Sequence, residues 1–218
     1  MFSGIIDAVG EVRSLDQTAS GAALAVRAPG YWNDVLHGGS VAIDGVCLTM
    51  TGVDADAARF DVVPETLCRS TLGHLRGGDR VNLQKSLAAG DPIDGHFVQG
   101  HVDAVAKIVR VERSGGDARW WFSLPAAAMS FIIPKGSVAI DGISLTIAEV
   151  DGRAFSVALI PTTLQRTTLG EKRAGDAVNV ETDILARTVV HHLESLIRDG
   201  GEGGAGALLE KLRATGFA

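Results

Sequence analysis

Read for its hydrophobic and polar positions, the chain falls into two unequal parts. Up to residue 184 the apolar stretches are short and β-branched, as in Val9–Val12, Ala23–Val26, Val41–Ile43, Val46–Met50, Phe60–Val63 and Val81–Leu83, and Gly, Asp and Pro punctuate them. Short alternating runs between turn residues are the mark of strands with one buried face. Along the fourth run Val46, Leu48 and Met50 share one face and Cys47, Thr49 and Thr51 the other, because successive side chains of a strand point to opposite sides. From Ala186 to Ile197 the period changes: Val189, Val190, Leu193, Leu196 and Ile197 recur at helical spacing and leave an apolar stripe in need of a partner. Gly200-Gly201 and Gly203-Gly204 break this helix, and Ala207–Leu212 is compatible with another short one.

The strand pattern is written twice. Ser40-Val41-Ala42-Ile43-Asp44-Gly45-Val46-Cys47-Leu48-Thr49 returns as Ser137-Val138-Ala139-Ile140-Asp141-Gly142-Ile143-Ser144-Leu145-Thr146, identical at eight of ten positions and displaced by 97. Asp-Gly suits a type I′ turn, whose two central residues both need positive φ, so each copy reads as a hairpin. Pro64-Glu65-Thr66-Leu67 with Arg69 recurs as Pro161-Thr162-Thr163-Leu164 with Arg166, and Val81-Asn82 recurs as Val178-Asn179. Upstream, Gly4, Asp7 and Val9 match Gly100, Asp103 and Val105 at a shift of 96, so a one-residue insertion separates the two stretches. A repeat of this length is a domain rather than a solenoid unit. Each half is therefore expected to stand alone as a closed antiparallel barrel of about six strands, since closure removes exposed edges. Trp32–Leu36 and Ala126–Phe131 are weakly helical and suited to cap an open end.

Composition narrows the function classes. At 46% hydrophobic and 21% charged the chain is an ordinary globular protein. Twenty basic against twenty-six acidic residues give a net charge of −6 with no basic block, so nucleic acid is not an expected partner. No apolar run is long enough to span a membrane and no signal-peptide layout opens the sequence. A soluble, cytoplasmic protein is expected, with no membrane partner. Cys47 and Cys68 have neither the number nor the spacing of a disulfide framework or zinc site.

Met1-Phe2-Ser3-Gly4-Ile5-Ile6, the duplicated barrels, Gly-Val-Cys-Leu-Thr at 45–49 and Gly-Ile-Ser-Leu-Thr at 142–146 together resemble the riboflavin synthase family, over roughly residues 1–187. The resemblance implies an all-β fold of two homologous six-stranded antiparallel Greek-key β-barrels, residues 1–96 and 97–185, with a trimerising C-terminal α-helix and tail over 186–218. It implies that two molecules of 6,7-dimethyl-8-ribityllumazine exchange a four-carbon unit to give riboflavin and 5-amino-6-(D-ribitylamino)uracil, with no cofactor and no metal. It further implies a homotrimer whose active sites lie between the N-terminal barrel of one subunit and the C-terminal barrel of its neighbour. Contact with lumazine synthase is a further partner that it raises.

Carried onto this sequence, the family's substrate-binding pattern falls on Gly4, Ile5, Ile6, Ser40, Cys47, Leu48, Thr49, Asp61, Val62, Val63, Pro64, Glu65 and Thr66 in the first half. In the second it falls on Gly100, His101, Val102, Lys135, Ser144, Leu145, Thr146, Ile160, Pro161, Thr162, Thr163, Leu164 and Gln165. A flat ring with a hydroxylated chain asks for apolar walls mixed with hydroxyls and free backbone groups. Pro-x-Thr-Leu also reads as a plain strand end and turn. Deprotonation of the 7-methyl group asks for a base of near-neutral pKa, and His101, opposite Ile5 in the repeat, is the candidate; His96 is a weaker one, and His191 and His192 are structural. Ser144 and Thr146 could bond the ring or deliver a hydroxyl. Asp183, opposite Ser86, could orient them or simply cap the helix. Cys47, replaced by Ser144 in the second copy, is a nucleophile or ring contact rather than a small buried hydrophobe. The differences Glu65 to Thr162 and Gly38 to Lys135 imply that the barrels hold their ligands differently.

A non-catalytic lumazine- or flavin-binding protein would share these barrels, so fold alone does not decide. The second barrel's Gly-His, Ser-x-Thr and Asp183, with the apolar helix, favour the enzyme. A flavin reductase domain would need a nicotinamide-binding partner domain that the sequence does not contain.

Overall fold

The structure is a computed structural model, and it describes residues 1–114 and 117–199. Six strands make the first barrel: β1 (Ala8–Thr18), β2 (Gly21–Arg27), β3 (Ser40–Ile43), β4 (Val46–Asp54), β5 (Ala57–Val62) and β6 (Arg80–Lys85). The second repeats them as β7 (Ala104–Ser114), β8 (Asp117–Ser123), β9 (Ser137–Ile140), β10 (Ile143–Asp151), β11 (Ala154–Leu159) and β12 (Ala177–Thr182). Each closes in Greek-key order, β1-β2-β5-β4-β3-β6 and its equivalent. Short helices α1 (Pro64–Arg69), α2 (Ala126–Met129) and α3 (Pro161–Arg166) interrupt the strands, and α4 (Ile184–Asp199) follows them. The helix begins two residues before the periodicity indicates; Ala207–Leu212 lies outside the described residues. No described helix is long and apolar enough to cross a membrane.

The repeats match down to their irregularities. Bulges at Val12/Ser14 and Met50/Gly52 return at Ile108/Arg110 and Ile147/Glu149, increasing local twist as closure of a small barrel requires. The shift is 96 through β8 and 97 from β9, which locates the insertion between these strands. Here the first barrel has a 3-10 turn at Tyr31–Asp34 and the second has α2. Trp32 of the 3-10 turn packs edge-on to Phe60 with centroids 5.8 Å apart, as a cap should. In the second core Trp120, Phe122 and Phe155 stack, and burying each such side chain contributes roughly 1.5–3 kcal/mol.

The repeated ten residues form the seam between the barrels. Asp44 and Gly45 have φ of 43° and 77°, Asp141 and Gly142 of 45° and 78°, as type I′ turns demand. The two turns meet back to back: a Cβ on Gly45 would stand 2.6 Å from the Gly142 nitrogen. Asp44 and Asp141 accept the Asn82 and Asn179 N–H groups at 2.8 and 2.7 Å. Both asparagines then donate across the seam, Asn82 to the Asp141 carbonyl at 3.0 Å and Asn179 to the Asp44 carbonyl at 2.8 Å. Ala42 and Ala139, facing away from their own cores, pack with Phe2 and Val98 in a third apolar cluster. Near-identity of the two copies thus follows from self-complementary packing, in which Ala and Gly permit close approach.

The two halves are also joined through their lead-in segments. Phe2 bridges to Val98, Ser144 N–H donates to the Gly4 carbonyl at 2.7 Å, and Cys47 N–H donates to the Gly100 carbonyl at 2.9 Å. The segment leading into each barrel is laid on the hairpin of the other.

Candidate functional site

This exchange corrects the expected grouping of residues. Gly4, Ile5 and Ile6 belong with Ser144 on β10, and Ile6 packs on the second core. Gly100, His101 and Val102 belong with Cys47 on β4, and Val102 packs on the first core. His101 is consequently not the histidine beside Ser144. That residue is His96, ranked below it from sequence: its Nδ1 lies 2.7 Å from Ser144 Oγ.

The crossings are backbone approaches that tolerate no side chain. A Cβ on Gly4 would fall 2.6 Å from that of Ser144, and one on Gly100 would fall 2.5 Å from that of Cys47. Both glycines also have φ near 80°, a region other residues enter at a cost. Around Ser144 the Gly4–Ile6 segment, Ile143, Thr162, Thr163, Arg166 and Thr167 line an open cavity of about 130 Å³. Thr162, Thr163 and Arg166 come from α3, which Pro161 opens at a position where a missing N–H costs nothing. Pro64 does the same for α1, so Pro-x-Thr-Leu is both a strand exit and a first helical turn. Thr163 is half-buried and Thr162 exposed.

His96 is largely enclosed, and burial pushes its pKa below the ordinary imidazole value, with the Asp183 carboxylate opposing. Burial thus favours the neutral ring. Its Nε2 is buried with no hydrogen-bond partner among the described residues. Asp183 immediately precedes α4.

On β4 and β10 the faces alternate as expected. Cys47 and Ser144 are half-buried, Thr49 and Thr146 exposed, all on the outward side. Leu48 and Leu145 instead turn toward the cores, as do Val62 and Leu164, so these four shape the wall from behind. Val63 and Ile160, which precede the two prolines, are exposed apolar residues. Asp61, Pro64, Glu65, Pro161, Gln165 and Lys135 are exposed and Ser40 and Thr66 half-buried. Glu65 is ion-paired with Arg69. His101 has an exposed side chain, while its N–H is held at 2.9 Å by Glu181.

Sequence reasoning missed Gln84 and Glu181, which hold the exchanged segments. Gln84 accepts from Gly4 N–H at 2.9 Å. Glu181 accepts from the N–H groups of Gln99, Gly100 and His101 at 2.6, 2.8 and 2.9 Å. Burial raises the pKa of Glu181 while these three donors lower it. The available signal was a charge ending the apolar run Val178-Asn179-Val180-Glu181.

Comparison with known proteins agrees with this architecture. The model of the lumazine binding domain matches twice, at residues 3–85 and 99–183. The riboflavin synthase of Chlamydia pneumoniae is 42% identical over 93% of this chain and 100% of its own length. That of Mycobacterium tuberculosis H37Rv is 42% identical over 92% and 100%, and that of Escherichia coli K12 is 38% identical over 90% and 93%. Crystal structures of LumP share the fold. The complex with 6,7-dimethyl-8-(1'-D-ribityl) lumazine superposes with a TM-score of 0.76 at 21% identity, and that with riboflavin with 0.77 at 23%. Each covers 84% of this chain and 99% of its own. With the domain matched in both halves and full-length relatives well above 30% identity, the chain belongs to the riboflavin synthase family.

Proposed function

We propose that the chain catalyses the dismutation of two 6,7-dimethyl-8-ribityllumazine molecules into riboflavin and 5-amino-6-(D-ribitylamino)uracil. One lumazine gives up a four-carbon unit to the other, so the atoms balance without an oxidant or reductant. The observation that carries this reading is a repeated site furnished with unlike chemistry. Each barrel has an outward strand residue under a crossing glycine segment, yet Cys47 meets Gly100, which precedes His101, in one copy and Ser144 meets Gly4, which precedes Ile5, in the other. Two identical substrates that must act as donor and acceptor need such a pair of sites.

In the second barrel the Ser144 hydroxyl lines the cavity with His96 behind it. A proton leaving the 7-methyl group passes through this hydroxyl to the neutral imidazole, and the charge of Asp183 steadies the imidazolium that results. In the first barrel Cys47 and Thr49 face the ligand, with His101 at the rim. Lys135, Thr162, Thr163, Glu65 and Thr66 offer polar contacts for ring carbonyls and the ribityl chain, while Ile5, Val63 and Ile160 give apolar contact.

The Ser144 cavity of about 130 Å³ adjoins an open cleft of about 650 Å³ through Ile5, Ile6 and Arg166, within the ~300–1,000 Å³ range of ligand clefts. The same reading includes a homotrimer in which a neighbouring subunit faces each site. Within α4, Leu185, Val189 and Leu193 are exposed at four-residue spacing, an apolar row suited to assembly. A cytoplasmic setting and contact with lumazine synthase belong to the same reading, the latter testable by co-sedimentation.

The test is incubation of the purified protein with 6,7-dimethyl-8-ribityllumazine alone. One riboflavin per two lumazines consumed is expected; tight binding without turnover would make the chain a ligand-carrying protein. Ser144→Ala, His96→Ala and His101→Ala are each expected to lower kcat by about 10²-fold or more. Unchanged rates in the first two would remove the second barrel from the proton transfer.

A further inference from the structure

The anchors of the two exchanged segments are not equivalent. In the first half Gln84 holds its segment through a neutral amide, accepting from Gly4 N–H at 2.9 Å and donating to Ser3 Oγ at 2.8 Å. At the matching place in the second half stands Glu181, only 4% exposed, whose two carboxylate oxygens take three successive main-chain N–H groups, those of Gln99, Gly100 and His101. Burying a carboxylate is costly unless it is fully hydrogen-bonded, and consecutive N–H groups curved around one anion meet that need. Gln84 demonstrates that the fold secures such a segment without a charge. The charged anchor occurs where the segment carries His101, and the neutral one where it carries Ile5.

We propose that Glu181 is a positioning residue for the reaction: by clamping the Gln99–His101 backbone against Cys47 it sets where the His101 imidazole stands. The inference rests on the riboflavin synthase reading. Gly100 is already pressed on Cys47, where a Cβ would lie 2.5 Å from the cysteine Cβ. With the His101 N–H fixed as well, the exposed imidazole swings only about its own side-chain bonds. A neutral amide cannot reproduce this clamp, because its single oxygen is the only acceptor and its NH₂ would face a further donor.

The test uses the full chain carrying Glu181→Gln, which installs the first half's own residue. The amide proton resonances of Gln99, Gly100 and His101 are expected to move. The variant should keep KM within about threefold while kcat falls on the order of 10- to 100-fold, as misplacement of a reacting group predicts. Glu181→Asp, which retains the carboxylate, is expected to recover part of kcat. A cycle with His101→Ala makes the pathway explicit: if Glu181 acts through His101, adding Glu181→Gln to His101→Ala lowers kcat no further. Additive losses, or a Glu181→Gln kcat within twofold of wild type, would overturn the proposal. If Glu181→Gln fails to fold, the cycle is run with Glu181→Asp and read the same way. If the wild-type chain makes no riboflavin the functional reading fails by itself. The amide resonances then still decide the clamp, and resonances unmoved by Glu181→Gln would overturn it.

Discussion

At the scale of single residues, the informative positions are those where the two copies disagree. Gly38 and Lys135 close the same turn, donating N–H groups to the Met50 and Ile147 carbonyls at 2.9 and 2.8 Å, with φ of 82° and 66°. Lysine in this left-handed region costs about 1 kcal/mol relative to glycine, and such strain concentrates at functional positions. Lys135→Gly is therefore expected to raise unfolding stability by about 0.5–1 kcal/mol in a denaturant melt while weakening lumazine binding. A variant changed in neither respect would refute the argument. A second disagreement pairs Leu75 with Lys172, whose Nζ lies 3.3 Å from Asp141 Oδ2. Burial and the facing Asp141 raise the pKa of Asp44, and burial raises that of Asp141 against the opposing pull of Lys172. Burial works against the Lys172 ammonium, yet the Asp141 and Asp44 carboxylates hold its pKa above the ordinary lysine value. A carboxyl raised in the folded state binds its proton more tightly there than in the unfolded chain, so this pair lowers stability as pH climbs above about 4. Lys172→Leu should cost about 3 kcal/mol at pH 8 and less at pH 5, because burial favours the protonated Asp141 carboxyl as pH falls. Equal losses in melts at the two pH values would contradict the charge balance. The Leu75-to-Lys172 difference was legible in the aligned repeats. That the lysine faces two buried carboxylates was not, because both belong to turns that sequence reads as exposed.

At the scale of elements, the hairpins were legible almost completely. Asp-Gly fixes the turn, and the alternation of Val46, Leu48 and Met50 against Cys47 and Thr49 fixes the faces, since both are local rules. The destination of Gly4 and Gly100 was not legible. One carbonyl accepting an N–H from a strand some 140 residues away, as Gly4 does from Ser144, leaves no periodic trace. The place of His96 beside Ser144 was hidden for a related reason: it lies in the linker, where the duplication supplies no second copy for comparison. The crossing itself is testable with glycines of equal backbone angle. Gly4 and Gly30 both have φ of 78°, but nothing lies within 4 Å of a Cβ on Gly30. Gly30→Ala should cost about 1 kcal/mol through backbone strain alone. Gly4→Ala adds the collision with Ser144 and should lose about 3 kcal/mol along with turnover. Similar losses would mean that the segment moves aside freely. For α4, a chain stopped after Ile184 is expected to elute as a monomer from a sizing column, and a persistent trimer would sink the assembly role.

At the scale of the molecule, residues Met1–Asp183 form one compact unit although they contain two closed barrels. Asn82 and Asn179 each bond a turn of the other barrel, and each lead-in segment lies on the other's hairpin. Calorimetry should therefore show one unfolding transition for both barrels rather than two. Resolved transitions would show the seam to be weak. The exchange also imposes an order of events on biosynthesis. Gly4 cannot dock until Ser144 has been made, and at about 5–20 residues per second the intervening chain takes roughly 7–30 s to appear. Throughout that interval Ile6, which packs on the second core, has no resting place. The newborn first barrel must carry a loose lead-in segment until its younger twin arrives to receive it.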